Sequence, residues 1–280
     1  MGLHPLLPTV RRVGAVAVSL ALLGAVARFF GELSAAELPL DPAHRIAAGG
    51  LHSLVVAADG AVWAWGANDR GQLGDGTRIT RTSPVHVVGL SDVVAVAAGA
   101  QSSYALKRDG TLWAWGFNQF GSLGDGTTVD RLLPVQVLGL SEVVAVAAGA
   151  NHALALDANA TLWSWGHNSA GQLGDGTRVD RAVADAVSGL SNVRGIAGGG
   201  GHSLAFQEDG TLWSWGANGL GQLGIGSDVD SLVPAVVADI KDVAAIGAGI
   251  GTAESLPCFG KVLAEIVGVE ALFSVLPHTK

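Results

Sequence analysis

Asp109-Gly110-Thr111-Leu112-Trp113-Ala114-Trp115-Gly116 is the stretch that decides the fold, because the chain repeats it. Asp59-Gly60-Ala61-Val62-Trp63-Ala64-Trp65-Gly66 precedes it by 50 residues. Ala160-Thr161-Leu162-Trp163-Ser164-Trp165-Gly166 and Asp209-Gly210-Thr211-Leu212-Trp213-Ser214-Trp215-Gly216 follow at the same interval. All 8 tryptophans fall inside these four copies. A fixed period of this length means stacked copies of one unit, each burying a face against its neighbours.

The unit reads as four short strands. Val93 to Gly99, Ser103 to Arg108 and Thr111 to Trp115 are β-branched or alternating runs separated by turn residues. Asp109-Gly110 between the second and third runs is a hairpin signal of the type I′ kind, while Asn159-Ala160 in the third copy predicts a looser turn. A Gly- and Asn-rich loop follows each Trp-Gly: Ala67 to Thr77, Phe117 to Thr127, His167 to Thr177 and Ala217 to Ser227. A fourth strand begins near Pro84 and Pro134, where proline suits a sheet edge. Four antiparallel strands per repeat make one propeller blade. Residues two apart share a face, so Trp113 and Trp115 point one way and Leu112 and Ala114 the other. Identical placement in every copy marks Trp63, Trp65, Trp113, Trp115, Trp163, Trp165, Trp213 and Trp215 as packing residues, the indoles of one blade lying over the small face of the next.

Ala-Ala-Gly-x-x-His-Ser-Leu, Asp-Gly-Thr-Leu-Trp-x-Trp-Gly-x-Asn-x-x-Gly-Gln-Leu-Gly and the Pro-Val strand resemble regulator of chromosome condensation repeats, of the bacterial secreted type, over residues 46 to about 250. The resemblance implies a seven-bladed β-propeller with interaction surfaces on its loop faces. The wider family includes guanine-nucleotide exchange factors for a small nuclear GTPase and secreted bacterial inhibitors of β-lactamase. This chain departs from the pattern by carrying four full repeats. A fifth begins at Asp242 to Gly249, but Thr252-Ala253-Glu254 stands where His202-Ser203-Leu204 stood, and the period ends there. Lys261 to Leu276 then reads as an apolar helix.

The fold expected is all-β: a partial β-propeller of four blades plus a fragment of a fifth, with an N-terminal signal helix and a C-terminal helix. Residues 1–36 form a signal peptide and linker: Arg11-Arg12 precedes the uncharged run Val13 to Ala27, too short for a membrane span. Residues 37–253 hold the repeats, at about 46–95, 96–145, 146–195 and 196–245 with the partial fifth, and 254–280 form a helical tail. Four blades leave unpaired strand edges, which proteins normally close, cover or charge.

The 280 residues carry 24 Asp plus Glu against 16 Lys plus Arg, a net charge of −8, which disfavours nucleic acid as a partner. Cys258 is the only cysteine, so no internal disulfide forms. His52, His152 and His202 share one repeat position, with Ser102 in the second copy; they read as structural histidines bonded within their own blades, not as metal ligands. The neighbouring Ser and His of one strand face opposite ways and make no nucleophile–base pair. Asp75-Gly76-Thr77 and its repeats read as turns, lacking the ligand pattern of a calcium loop. Arg81, Arg131 and Arg181 form a charged belt at one phase.

Binding residues are sought where the copies differ: Asp69, Arg70, Phe117, Gln119, Phe120, His167 and Leu220 in the loops after Trp-Gly. The function expected is that of an exported, non-enzymatic propeller module that binds another protein, with no cofactor, no metal and no catalytic residue. The alternatives are an exchange-factor-like regulator of a small GTPase and a truncated gene product without independent function. Besides a protein partner, a second copy of the chain is expected through the open propeller edge or the tail. No membrane association is expected beyond a signal anchor.

Overall fold

The computed structural model describes residues 45–238 and 240–249. They form four antiparallel sheets of four strands each, in sequence order from one edge to the other. The first holds β1 (Ile46–Ala48), β2 (His52–Val56), β3 (Val62–Gly66) and β4 (Arg81–His86). The second holds β5 (Val93–Ala98), β6 (Ser102–Lys107), β7 (Leu112–Gly116) and β8 (Arg131–Gln136). The third holds β9 (Val143–Ala148), β10 (His152–Asp157), β11 (Leu162–Gly166) and β12 (Arg181–Ala186), and the fourth β13 (Val193–Gly198), β14 (His202–Gln207), β15 (Leu212–Gly216) and β16 (Ser231–Val236). These are the four blades read from the repeat. The signal peptide at 1–36, the tail at 254–280 and its helix lie outside the described residues. Among the described residues no helix is long and apolar enough to cross a membrane.

Two local expectations change. Of Asp59 and Gly60 only the glycine has positive φ, at 81°, so the β2–β3 turn is not type I′, which needs both. Gly60 N–H donates to Ala57 O, and one left-handed residue returns the chain. The third copy makes the same turn, not a looser one: Ala160 takes φ 60° despite its Cβ. Asp157 holds it there, its Oδ1 accepting from Asn159 N and Thr161 N, each at 2.9 Å. The outer strands begin at Arg81 and its repeats, so Pro84 and Pro134 sit inside β4 and β8. Proline is tolerated there because these strands are sheet edges.

Consecutive blades share cores. Leu54, Val62, Leu73 and Val87 of the first blade enclose Val93, Val96, Ala105 and Trp115 of the second. Leu154, Leu162 and Val187 of the third likewise enclose Val193, Ala205 and Trp215 of the fourth. The indole therefore packs on the blade before its own, not on the one after. Trp115, Trp165 and Trp215 are each fully buried. The other tryptophan of each copy lies to the outside and is 38% exposed at Trp63. The fifth copy starts in place without becoming a strand. Residues 243–249 have no ladder partner among the described residues, yet Val243 and Ile246 pack on Leu212 and Val237 of the fourth blade.

Candidate functional site

The loop after each Trp-Gly is built on a buried asparagine. Asn118 is fully buried, and its Nδ2 donates to Asp125 Oδ1 at 3.0 Å, Thr127 O at 3.1 Å and Val129 O at 3.1 Å. Its Oδ1 accepts from Leu123 N at 2.9 Å. Asn68 and Asn168 make the same set, so the loop has its own polar core. Asp125 completes it, meeting Arg131 at 2.6 Å with a side chain only 5% exposed. Asp75–Arg81 and Asp175–Arg181 repeat the pair at 2.8 Å. The arginines are thus pinned inside their loops instead of forming a solvated belt. Burial alone would raise the Asp125 carboxyl, but Thr127, Arg131 and Asn118 together hold it below its ordinary range.

The loop also locks adjacent blades. Gln72 O accepts from Ser103 Oγ at 2.8 Å and from Trp115 Nε1 at 2.9 Å, both on the next blade. His52 Nε2 lies 2.8 Å from the same Ser103 Oγ. Because the serine proton goes to Gln72 O, the imidazole must be the donor to Ser103, which places its proton on Nε2. Nδ1 is then bare, buried and without a partner. His152, Ser203, Gln172 O and Trp215 repeat the joint between the third and fourth blades. His52 and His152 therefore bond across blades, which corrects the expectation of bonding within one blade for these two. A Ser–His pair does form, between residues 51 apart, where neighbours in one strand were considered. Both serines are fully buried, so no substrate reaches them. Burial depresses His52 to about 4 and His152 to about 3, the latter also through His202 and His167.

The joint between the second and third blades is different. Ser102 replaces histidine and Ala153 replaces serine. Tyr104, where the other copies have leucine, sends its hydroxyl to Ser122 O at 2.7 Å, and Trp165 Nε1 reaches the same oxygen at 2.9 Å. The acceptor still takes two donors.

At this end of the blades the predicted loop residues converge. The Arg70 guanidinium lies 5.3 Å from the centre of the Phe117 ring. Phe117 meets Phe120 edge to face at 5.8 Å, and Phe120 stacks on His167 at 4.3 Å with a 33° tilt. Arg70 belongs to the first blade's loop, the two phenylalanines to the second's and His167 to the third's, so one ladder spans three blades. Phe117 is buried at 8% exposure and supports the ladder from beneath, which removes it as an exposed anchor. Phe120 and His167 are half-buried at the surface. Asp69 is exposed, accepts from Gln101 Nε2 at 3.3 Å and flanks Arg70. Asp130, from the second blade, ties Arg70 down at 3.5 Å. Gln119 is exposed beside the ladder. Leu220 is 81% exposed on the fourth blade and stands apart from it. Sequence reading missed Asn68 and its repeats, although an asparagine at one phase of every copy was the available signal.

A family model described as RCC1-like domain matches residues 24–262. The chain is similar to human WBSCR16, with 27% identity and a TM-score of 0.67 over 73% of this chain and 55% of that one. It is similar to Prp20p of Saccharomyces cerevisiae, a protein whose binding to Gsp1p and histones has been characterised. That match has 26% identity and a TM-score of 0.63 over 76% of this chain and 56% of the other. Protein RCC2 homolog of Danio rerio is 42% identical over 45 residues, 16% of this chain and 9% of that protein. The chain thus spans about half the length of these solved structures and a small part of the curated relative.

Proposed function

We propose that this chain, which belongs to the RCC1-like domain family, is an exported protein-interaction module that presents the ladder face to another protein and performs no catalysis itself. The supporting observation is the Arg70–Phe117–Phe120–His167 ladder across three blades. Aromatic and arginine side chains held rigid by a scaffold are the usual anchors of protein interfaces, because little conformational entropy remains to be lost on binding. The exchange-factor reading rests on likeness to proteins of which this chain spans about half, and no residue of the face favours it. Export is supported by the uncharged run Val13 to Ala27 between Arg12 and Arg28.

The test uses envelope proteins of the producing cell and the immobilised chain. A partner retained by the wild type should be lost with Phe120→Ala or Arg70→Ala while the melting temperature stays within a few degrees. Equal retention by both variants would refute the face. N-terminal sequencing of exported protein should begin near Arg28 or Glu37; an intact Met1 on a cytosolic product would refute export.

A further inference from the structure

The blade joints are made of two complementary halves, and the described chain leaves one of each unused. The trailing half is a loop carbonyl with two glycines beside it. A Cβ added to Gly74, Gly124 or Gly174 would meet the Nε1 of Trp115, Trp165 or Trp215 at 2.9, 2.9 and 2.8 Å. The φ of 66°, 66° and 72° at these positions favours glycine for the backbone as well, and the missing Cβ leaves room for the next blade's indole. The fourth blade keeps the whole sequence, Gly221-Gln222-Leu223-Gly224. There, among the described residues, a Cβ at Gly221 meets nothing within 4 Å, and one at Gly224 meets only Val237 of its own blade. Both glycines are exposed, whereas the equivalents in the other blades are buried. The slot for a tryptophan is built and open.

No tryptophan follows Trp215 in the sequence, and no described residue occupies the slot. Trp115, Trp165 and Trp215 are already committed to the three internal joints. Trp65 is the remaining indole at that repeat position, on the leading face of the first blade, where it is half-buried. Ser53 accompanies it at the position of Ser103 and Ser203. His202, at the trailing end, matches His52 and His152, each of which takes such a serine, while the sequence 51 residues further on has Ala253. Both free ends are therefore of the histidine–serine kind, not of the tyrosine kind used in the middle.

The inner strand points the same way. Residues 243–249 lie on the fourth blade with Gly200 N donating to Gly249 O, as Ala150 N donates to Gly199 O one blade earlier. Among the described residues they have no β2-type partner. In the first blade β1 pairs with β2 over Ile46–Ala48, and Ile46 is 58% exposed.

We propose that the trailing face of the fourth blade is a docking surface for the first blade of a second copy of the chain, joined head to tail. Segment 243–248 of one copy takes the place of β1 beside β2 of the other, and Trp65 enters the Gln222–Gly224 slot. Such an interface is heterologous: it pairs unlike surfaces and leaves each copy able to donate again at its other end. Strand addition supplies backbone hydrogen bonds, and the indole pocket supplies register.

Sedimentation of the full chain tests this. The wild type should show mass rising with concentration toward multiples of one chain. Trp65→Phe removes the indole donor from the leading face. Leu220→Lys places a charge on the trailing face, at the position where Phe120 reaches the next blade's His167. Leu220 is exposed, so this second variant is not expected to disturb the fold. Each should weaken self-association by about tenfold or more, the scale of one lost buried hydrogen bond. Mixed together they should form one-to-one pairs, because each retains the face the other lacks. A wild type that stays monomeric from micromolar to roughly 0.1 mM overturns the proposal. So does association that neither substitution weakens, or variants that fail to pair when mixed.

Discussion

Lowering the pH from 7 to 5 is expected to cost this fold about 4 kcal/mol through His52 and His152 alone. The unfolded imidazoles titrate near 6.5, and the folded ones only at about 4 and about 3. A base whose folded pKa is depressed binds more protons when unfolded, so stability rises with pH across the window from about 3 to 6.5. At pH 5 the unfolded imidazole is almost fully charged and the folded one almost fully neutral. Each then contributes a loss of about 1.36 kcal/mol per unit over 1.5 units, or about 2 kcal/mol. Two sites make about 4 kcal/mol, a large share of the roughly 5–15 kcal/mol that domains possess. The physical cause is plain in the joint: protonating Nδ1 puts a charge against buried surroundings with no acceptor. Asp75, Asp125 and Asp175 do not confuse the reading, since carboxyls held below their ordinary value lose stability only as the pH falls below about 4. His202 is depressed as well and adds in the same direction. Urea unfolding at several pH values, followed by tryptophan fluorescence, gives the slope. The double variant His52→Ser, His152→Ser uses the residue already present as Ser102 and should be less stable at pH 7 but much flatter between 7 and 5. An equal slope in variant and wild type would refute the assignment.

Three further outcomes follow from the geometry. Tyr104→Phe should cost about 1 kcal/mol by removing one of two donors to Ser122 O, and adding Ala153→Ser should recover most of it by restoring the donor of the other joints; melting curves of the single and double variants decide. Arg131→Ser alone leaves Asp125 nearly buried without its cation and should cost about 1–3 kcal/mol, whereas adding Asp125→Ile, the pairing the fourth copy carries as Ile225 and Ser231, should cost less than the sum of the two singles in a double-mutant cycle. Ala160→Gly should raise stability by about 0.5–1 kcal/mol because it relieves a left-handed alanine; a lowered melting temperature would contradict the turn.

The blades were legible because their causes are local. Strand alternation, Asp-Gly turns and the 50-residue period each act within one copy, and β2, β3 and their repeats fall on the runs that predicted them. The loop residues could be singled out because differences between copies stand out against a fixed background. Their mutual contacts could not be read, since Arg70 and Phe117 are neighbours only once two blades stack. Phe117 looked like an anchor because an aromatic residue in a polar loop carries no sign of which way it points. Trp115, Trp165 and Trp215 are buried while Trp63 is 38% exposed, and the blade on which an indole packs depends on the direction of stacking, which no single strand encodes.

The deviations from the repeat carry the most information, and they come in compensating groups. Ser102, Ala153 and Tyr104 differ from the other copies together, and they lie on two blades around one carbonyl. Ile225 and Ser231 differ together where the other loops hold an ion pair. Neither group is a loosening of the pattern. In the first, a serine hydroxyl missing from the third blade is replaced by a tyrosine hydroxyl from the second, the blade that carries the carbonyl. In the second, the acid and the base are absent at once, so neither stays buried alone. An unpaired buried polar group costs more than the bond itself contributes, so single changes at such positions are penalised and matched changes are not. Read in this light, Gly221 and Gly224 are the informative residues of the fourth blade. They keep the trailing half of a joint whose other half is not among the described residues, at φ 72° and 65° that glycine adopts without strain.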